Sequence, residues 1–274
     1  MDPKGRTYLV TGANIGIGRV TAEKLAARGG RVFLACRSED KARPVIDGIR
    51  AAGGFAEFLP ISLDDLGSVR ACAKRFLERD EPLHVLINNA GLAGQRGLTK
   101  DGFELAFGVN HVGPFLLTQL LLPKLEDEKD ARIVNVASKS HYRAKTIDWD
   151  AVRRPTANLT ALPEYEASKL ANVLFTKELS RRLGGKVRAF SLHPGVVATN
   201  IWSGAVPWGI RHAIKLFMKT EEQGAETTLH CATSDDVKDG AYYDDCKERR
   251  PSRAADDEAL AKELWRRSEA WVAA

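Results

Sequence analysis

The 274-residue sequence predicts an α/β fold in which helices cover both faces of a doubly wound parallel sheet of about seven strands. Two observations lead to this prediction. Short apolar runs typical of strands alternate with segments of helical apolar spacing, a pattern typical of parallel sheets. Glycine or polar residues also follow directly after most of the apolar runs. No repeat, low-complexity tract or linker divides the chain, so residues 1–274 are predicted to form a single domain.

The predicted elements follow one another regularly along the chain. Strands are predicted at 7–11, 31–35, 55–61, 85–87, 133–137, 187–192 and 241–243. One helix is predicted between the first two strands, ending at Gly29-Gly30, and others at 41–52, 66–77, 109–125, 165–183 and 259–272. Pro114 is expected to kink the 109–125 helix near its start.

The composition excludes several classes of function. The chain is 44% hydrophobic and 28% charged, with a net charge of +5, which is ordinary for a globular protein. Its four cysteines are scattered without a C-x-x-C pair, so we expect no metal site, no disulfide framework and a reducing compartment. Acidic and basic residues are interspersed, and the basic cluster of Arg249, Arg250 and Arg253 is more typical of a solvated loop than of a nucleic-acid surface. An anionic cofactor accounts for the mild positive balance, and no nucleic-acid partner is expected.

A glycine-rich turn, Gly12–Gly18, follows the first predicted strand and leads into helical spacing. Glycines allow a tight turn and let backbone N–H groups approach a pyrophosphate at the helix N-terminus. The spacing differs from the usual G-x-G-x-x-G, and a purely structural turn is the alternative. The strand, turn and helix together indicate a dinucleotide site.

The carboxyl ends of the predicted strands carry the other polar candidates. Ligands bind at this edge of an open parallel sheet, so residues that follow the strands are expected to line one site. These residues are Gly12–Gly18, Arg37, Asn88–Gly91, Ser138 and Pro194-Gly195.

Tyr165 and Lys169 lie four residues apart at the start of a predicted helix, so both side chains can face one reacting atom. A nearby ammonium favours the phenolate and lowers the pKa of a tyrosine from its usual value of about 10. The pair therefore suits proton transfer in a carbonyl/alcohol interconversion. Tyr243 and Lys247 have the same spacing, but their sequence context predicts a strand end and a turn.

Six ordered motifs resemble those of the short-chain dehydrogenase/reductase family, whose members have an extended Rossmann-type fold. They are T-G-A-N-I-G-I-G (11–18), N-N-A-G (88–91), V-N-H-V-G (109–113), V-N-V-A-S (134–138), Y-E-A-S-K (165–169) and H-P-G (193–195). The resemblance covers essentially the whole chain. It is closer to the retinol-dehydrogenase-like branch, through A-C-R-S (35–38), the extended motifs at 109–118 and 168–179, and Y-Y-D-D-C-K (242–247).

The resemblance implies a catalytic set of four residues. Tyr165 would be the acid/base, and Lys169 would lower its pKa and hold the nicotinamide ribose. Ser138 would hydrogen-bond to the substrate oxygen, and Asn110 would order a water beside Lys169. The cofactor-binding residues implied by the resemblance are Gly12, Asn14, Ile15, Gly16, Ile17, Gly18, Arg37, Ser62, Leu63, Asn89, Ala90, Gly91, Tyr165, Lys169, Pro194, Gly195, Val197 and Thr199.

The chain departs from the family pattern at two places. Ser62-Leu63 stands where the family usually has Asp-Leu, whose carboxylate meets the adenine, so the side chain that makes this contact is left open. Ala137-Ser138 stands where the branch often has Ser-Ser, and the second serine is the one with the catalytic role.

Cys36 and Arg37 end the second predicted strand. An NAD-preferring site commonly places a carboxylate here to accept the ribose 2′-hydroxyl. Cys36 is neutral instead, and the guanidinium of Arg37 presents donors that suit a 2′-phosphate. An ordinary exposed loop cation is the alternative for Arg37. We predict NADP(H) as the cofactor.

The sequence therefore predicts an NADP(H)-dependent oxidoreductase that interconverts an aldehyde or ketone with an alcohol. The segment near 199–219, which contains Trp202 and Trp208, is expected to cover the substrate pocket. Such a cover suits a lipophilic substrate such as a retinoid, a steroid or a xenobiotic carbonyl, whereas plain core packing is the alternative for these aromatics. A non-catalytic NADP(H)-binding redox sensor or scaffold is the alternative function.

No apolar run in the sequence approaches the ~18 residues of a membrane span, and residues 1–6 are too short and polar for a signal peptide. Many relatives in the branch begin with a membrane anchor. We expect a cytoplasmic protein without a membrane span that acts on a small-molecule substrate. A homo-oligomer is compatible with the sequence, because the helices with Asn110 and Tyr165 pair subunits in many relatives.

Overall fold

Eight strands form one sheet in the computed structural model, which describes residues 1–195 and 219–273. The strands are β1 (Thr7–Thr11), β2 (Arg31–Cys36), β3 (Phe55–Pro60), β4 (Val85–Asn88), β5 (Arg132–Val136), β6 (Arg188–His193), β7 (Tyr242–Asp244) and β8 (Lys247–Arg249). Their order across the sheet is β3-β2-β1-β4-β5-β6-β7-β8. The first seven are parallel, and β8 pairs antiparallel with β7. The predicted fold class is therefore confirmed.

The helices of the described residues are α1 (Gly16–Ala27), α2 (Glu39–Ala51), α3 (Leu66–Leu77), α4 (Leu105–Phe107), α5 (Gly113–Glu126), α6 (Leu162–Leu183), α7 (Glu221–Thr233) and α8 (Glu258–Ala273). A π-helical turn, Gly108–Val112, joins α4 to α5. Both faces of the sheet are covered. All five residues of β1 are buried, with Leu9 in one hydrophobic cluster and Tyr8 and Val10 in the cluster on the other face. Alternate residues of a strand point to opposite faces, so a wholly buried strand requires two cores.

Several element boundaries differ from the prediction. β8 was missed because a short, fully exposed strand carries no apolar pattern. The 109–125 helix instead begins at Leu105, and its irregularity is the π-helical turn. Pro114 lies two residues after this irregular turn, at the second residue of α5. α6 begins at Leu162, three residues before the predicted start, with Pro163 in its first turn.

The C-terminal helix α8 packs on the outer faces of α5 and α6. The ring of Trp265 lies 5.2 Å from that of Phe115 on α5 and 5.9 Å from that of Phe175 on α6. The guanidinium of Arg182 lies 4.4 Å from the centroid of the Trp265 ring. Helix α8 thus covers α5, which follows Asn110, and α6, which carries Tyr165 and Lys169.

Among the described residues, the stretch Leu105–Glu126 is long and apolar enough to cross a membrane by length and composition alone. The sequence prediction that no apolar run approaches this length is therefore wrong. The stretch lies in the core, with 72% of its apolar window buried inside the protein. Burial of this kind is also found in core helices of globular proteins.

We expect Trp265→Ala to lower the free energy of unfolding by about 3–5 kcal/mol, because it removes a large buried side chain and leaves a cavity between three helices. Denaturant titration followed by circular dichroism measures this loss. Leu159→Ala is the control, since Leu159 is 84% exposed and its truncation should cost almost nothing. Equal stabilities of the two variants would contradict the packing described for α8.

Candidate active site

The glycine turn between β1 and α1 forms a cradle for an anionic group. Ile15 is the N-cap of α1 and its side chain caps no N–H, whereas Ser38 and Asp65 cap α2 and α3 with side-chain oxygens. The first N–H groups of α1 can therefore bind phosphate oxygens. A Cβ at Gly18 would overlap the Asn89 side chain and the Gly12 carbonyl. The predicted cofactor residues Gly12, Asn14, Ile15, Gly16, Ile17 and Gly18 all lie on this turn or in the first turn of α1.

Thr11 and Asn89 join the ends of β1 and β4 beside this cradle. The Thr11 hydroxyl accepts hydrogen bonds from the backbone N–H groups of Asn89 and Ala90, each at 3.0 Å. The Asn89 amide donates to the Thr11 carbonyl at 2.8 Å. The predicted cofactor residues Asn89 and Ala90 are thus held against the glycine turn. Thr11 was not predicted, although its place directly before the turn was a usable signal.

Cys36 and Arg37 end β2 next to the glycine turn. The Cys36 thiol is buried, and the backbone N–H groups of Ala13, Asn14 and Gly12 act to lower its pKa. Burial raises its pKa to about 11, so the group is neutral at neutral pH. The Arg37 side chain is exposed, and Glu39, the next carboxylate along the chain, pairs with Arg43 at 3.2 Å. The edge of the cradle therefore carries a cation and a neutral thiol.

Ser62 and Leu63 follow β3 and lie on the predicted adenine side. The Ser62 hydroxyl hydrogen-bonds to the Asp64 carboxylate, and its backbone N–H donates to Ser68 Oγ at 2.9 Å. A Cβ at Gly113 would lie 2.6 Å from the Leu63 carbonyl oxygen. Leu63 is buried. The segment is fixed by its own contacts, among them the hydrogen bond between the Ser62 hydroxyl and the Asp64 carboxylate.

Asn110 lies in the π-helical turn and ties three parts of the site together. Its Oδ1 accepts from the Leu92 N–H at 2.8 Å, and its Nδ2 donates to the Leu92 carbonyl at 3.0 Å and to Ser168 Oγ at 2.9 Å. A Cβ at Gly91 would lie 3.1 Å from Asn110 Oδ1 and 3.3 Å from Lys169 Nζ. The structure thus brings Gly91, a strand-end candidate, together with Asn110 and Lys169, which the family resemblance assigns to the site. Ser168 was not predicted.

Lys169 is buried on α6, where its ammonium donates to the Val136 carbonyl at the end of β5, at 2.9 Å. Its Nζ lies 5.6 Å from the centroid of the Tyr165 ring. Burial lowers the pKa of Lys169 to about 8. The Asn172 amide donates to the same Val136 carbonyl at 3.2 Å. Lys169 and Tyr165 therefore share one face of α6, as their spacing predicts.

Tyr165 and Ser138 face each other across the end of β5. Tyr165 is 5% exposed, and this burial raises the pKa of its hydroxyl, while a hydrogen bond with the Ser138 side chain acts in the opposite direction. The direction differs from the sequence expectation, because burial of the phenol outweighs the neighbouring polar groups. Ser138 is 8% exposed, and its Oγ also accepts from the Ser140 N–H at 3.1 Å.

Pro194 and Gly195 follow β6 at the same edge of the sheet. Gly195 has φ 93°, and a Cβ there would overlap the Lys219 side chain. The predicted cofactor residues Val197 and Thr199 lie outside the described residues. The same is true of all but Lys219 of the predicted cover at 199–219.

The second tyrosine–lysine pair takes no part in this site. Tyr243 lies in β7, and its hydroxyl accepts from the Lys238 N–H at 2.7 Å. Lys247 is exposed in β8, beyond a turn in which Asp245 and Cys246 have positive φ. The predicted strand end and turn are confirmed, so the two side chains do not share a helical face.

The comparisons with known proteins agree with this geometry. Residues 6–148 match the family model described as short chain dehydrogenase. Retinol dehydrogenase 11 of Homo sapiens is 43% identical over 269 residues, which cover 95% of this chain and 84% of the relative. The structure of an uncharacterized protein from Mycobacterium paratuberculosis matches with a TM-score of 0.80 at 35% identity, covering 98% of this chain and 94% of the other. Angucycline C-6 ketoreductase LanV, solved with bound NADP, matches with a TM-score of 0.72 at 27% identity, covering 89% and 95%.

The chain belongs to the short-chain dehydrogenase/reductase family. Within that family it lies in the retinol-dehydrogenase-like branch, as its motifs predicted. It is therefore an oxidoreductase that uses a nicotinamide cofactor and interconverts carbonyl and alcohol groups of small molecules.

We expect Lys169→Met to stabilise the fold while abolishing activity. The folded-state pKa of about 8 lies below the unfolded value of 10.5, so the unfolded chain binds more protons between these values and native stability rises with pH across that window. Below about pH 8 the cost of burying the charge is present in full, at roughly 1.4 kcal/mol per pKa unit. The variant should gain about 1–3 kcal/mol at pH 7, because Asn172 still donates to Val136, and the gain should shrink between pH 8 and 10.5.

Denaturant titrations of both proteins across this pH range measure the difference. Lys177→Met is the matched control on the same helix, since Lys177 pairs with Asp256 at the surface and its loss should bring no gain. A Lys169→Met variant less stable than the native protein at pH 7 would show that the buried ammonium stabilises the fold.

Proposed function

We propose that this protein is an NADP(H)-dependent dehydrogenase/reductase of a lipophilic aldehyde, ketone or alcohol. The observation that supports the catalytic part is the convergence of Ser138, Tyr165, Lys169 and Asn110 at the carboxyl ends of β4 and β5. The four residues come from three separate segments of the chain. Such a convergence of proton donor, cation and hydroxyl serves carbonyl chemistry.

Each residue has a distinct task in carbonyl reduction. Ser138 donates a hydrogen bond to the substrate oxygen, where negative charge develops. Tyr165 gives its proton to that oxygen, and burial favours the protonated phenol that this step requires. A nicotinamide cofactor held by the glycine turn would supply the hydride and, in the reverse direction, would accept it. When the alcohol is oxidised, the Lys169 cation favours the phenolate form of Tyr165, which takes the proton from the alcohol.

Asn110 supports this proton path without touching the substrate. Its amide joins the Leu92 backbone to Ser168, which precedes Lys169 on α6. The contact fixes the distance between the π-helical turn and the helix that carries both titratable residues. A site held within about 0.5 Å is what efficient catalysis needs.

We expect Tyr165→Phe to lower kcat by a factor of roughly 10²–10⁴ while leaving the NADPH dissociation constant nearly unchanged, because the variant lacks only the proton donor. Ser138→Ala should lower kcat to a similar degree. Spectrophotometric turnover and fluorescence titration of NADPH measure the two quantities. The substrate panel should include retinal, steroid ketones and small aldehydes.

Tyr243→Phe is the matched control and should retain most activity, since Tyr243 bonds only to the Lys238 backbone in the described part of the chain. Equal losses at positions 165 and 243 would refute the assignment. Tight NADPH binding by the native protein without turnover of any panel member would favour a non-catalytic redox sensor. Turnover confined to small polar carbonyls would refute the lipophilic substrate class.

The choice of NADP(H) rests on the end of β2. A carboxylate there would accept the ribose 2′-hydroxyl and repel a 2′-phosphate, whereas this chain has the neutral Cys36 thiol and the exposed Arg37 cation. Bound NADP in the structure of LanV is consistent with this proposal.

We expect the native protein to bind NADPH about ten- to several-hundred-fold more tightly than NADH, because one or two charge-assisted hydrogen bonds are worth roughly 1.5–3 kcal/mol each. The double variant Cys36→Asp/Arg37→Ala should level or reverse this preference. Fluorescence titration measures the dissociation constants of both proteins for NADPH and NADH. Equal native affinities for the two cofactors would refute the proposal, whatever the turnover. Arg43→Ala, on the neighbouring helix, is the control and should leave the ratio unchanged.

A further inference from the structure

His141 connects the backbone of Ser138 to the C-terminal part of the chain. Its side chain is fully buried. Nδ1 lies 2.6 Å from the Ser138 carbonyl oxygen, and Nε2 lies 3.1 Å from the backbone nitrogen of Ser252. A carbonyl oxygen only accepts and a backbone N–H only donates, so the ring is neutral with its proton on Nδ1. Both nitrogens are therefore engaged by partners far apart in sequence.

His111, the neighbour of Asn110 in the π-helical turn, makes a single connection through Nε2, and its Nδ1 has no hydrogen-bond partner among the described residues. Its side chain is buried, and Nε2 lies 2.9 Å from the Ser268 hydroxyl on α8. The ring packs among Phe107, Phe115 and Phe175, with centroid distances of 5.2 to 6.0 Å. A second catalytic segment is thus joined to the C-terminal part of the chain through a histidine.

We propose that His141 and His111 are positioning residues through which the segment 252–268 sets the places of Ser138 and Asn110. The proposal rests on the proposed function, because it assigns these histidines to the same site. Ser138 follows β5 outside the strand ladder, and its carbonyl accepts two hydrogen bonds from His141, one from the backbone N–H at 3.1 Å and one from the ring. The ring carries the contact on to the backbone of Ser252. The bond from His141 holds that carbonyl, and with it the direction of the hydroxyl. A displacement of about 1 Å at a reacting group costs up to 10²-fold in rate.

The alternative is that both rings only fill the core. His141 packs against Tyr142 and Tyr242, with ring centroids at 4.1 and 4.8 Å. Replacement by phenylalanine keeps an aromatic ring in this place and removes both nitrogens, so it separates packing from hydrogen bonding. A packing role predicts a loss of stability that is independent of Ser138. A positioning role predicts a loss of rate that depends on Ser138.

The experiment is a double-mutant cycle in the full chain, with NADPH and the best aldehyde of the substrate panel. We expect His141→Phe to lower kcat at least tenfold with the NADPH dissociation constant close to native, and to lower the melting temperature by only a few degrees, because the Ser252 N–H loses its acceptor. In the Ser138→Ala background the same change should lower the residual kcat less than twofold, because the residue it positions is gone. His141→Gln, whose amide offers one donor and one acceptor, should recover part of the rate.

Amide hydrogen exchange gives a readout that does not depend on turnover. In His141→Phe the Ser252 amide should exchange faster, because its acceptor is removed. Ser252→Ala is the matched control. It keeps the backbone N–H that donates to His141, so both its amide exchange at position 252 and its kcat should be native. For the second connection, Ser268→Ala should lower kcat several-fold in the native background and not in the Asn110→Ala background.

The outcomes separate this proposal from the proposed function. A native protein without turnover of any panel member would refute the proposed function and this inference with it. An active native protein with equal losses from His141→Phe in both backgrounds, or with a loss that follows the melting temperature, would refute the positioning role alone. Native-like turnover by His141→Phe would also refute the positioning role.

Discussion

The Lys169 ammonium, buried against the Val136 carbonyl, is the interaction on which the rest of the site depends. A charge removed from water is costly, and its pKa of about 8 reports that cost. The fold accepts this cost because β5, α6 and the loop after β4 all meet at the ammonium. Gly91 leaves room for it, since a side chain there would contact both Lys169 and Asn110. Packing from three directions thus places a charge where hydrophobic burial alone would exclude it.

Much of the fold could be predicted because it rests on local patterns. The central parallel strands β1, β4 and β5 are buried on both faces and appear in the sequence as short apolar runs, while a helix between strands shows its own spacing. The Tyr165–Lys169 pair was predictable for the same reason, since four residues bring two side chains to one helical face. The strand-end argument does not reach Asn110, because this residue lies in a helix. Only the family resemblance assigned Asn110 to the site. Local periodicity carries no information about which helix turn meets which strand end.

The rest of the site depends on contacts between distant segments. The bonds from Asn110 to Leu92 and Ser168 and from His141 to Ser252 join residues with no common sequence pattern. The direction of the Tyr165 pKa shift could not be predicted either, because it follows from burial. Burial is a property of the packed chain, and the tyrosine–lysine spacing alone indicates only the opposing electrostatic effect. β8 escaped prediction because all three of its residues are exposed.

The helix that carries the catalytic pair is itself held from two sides. On one face of α6, Tyr165 and Lys169 meet Ser138 and the end of β5. On another face, Phe175 packs against Trp265 of α8. The contacts at its ends are local, because Glu164 in the first turn accepts from the N–H groups of Ala157 and Asn158 and the helix ends at Gly184 in a left-handed conformation. The position of the acid/base therefore comes from side-chain packing along the helix, and the C-terminal helix is part of what determines it.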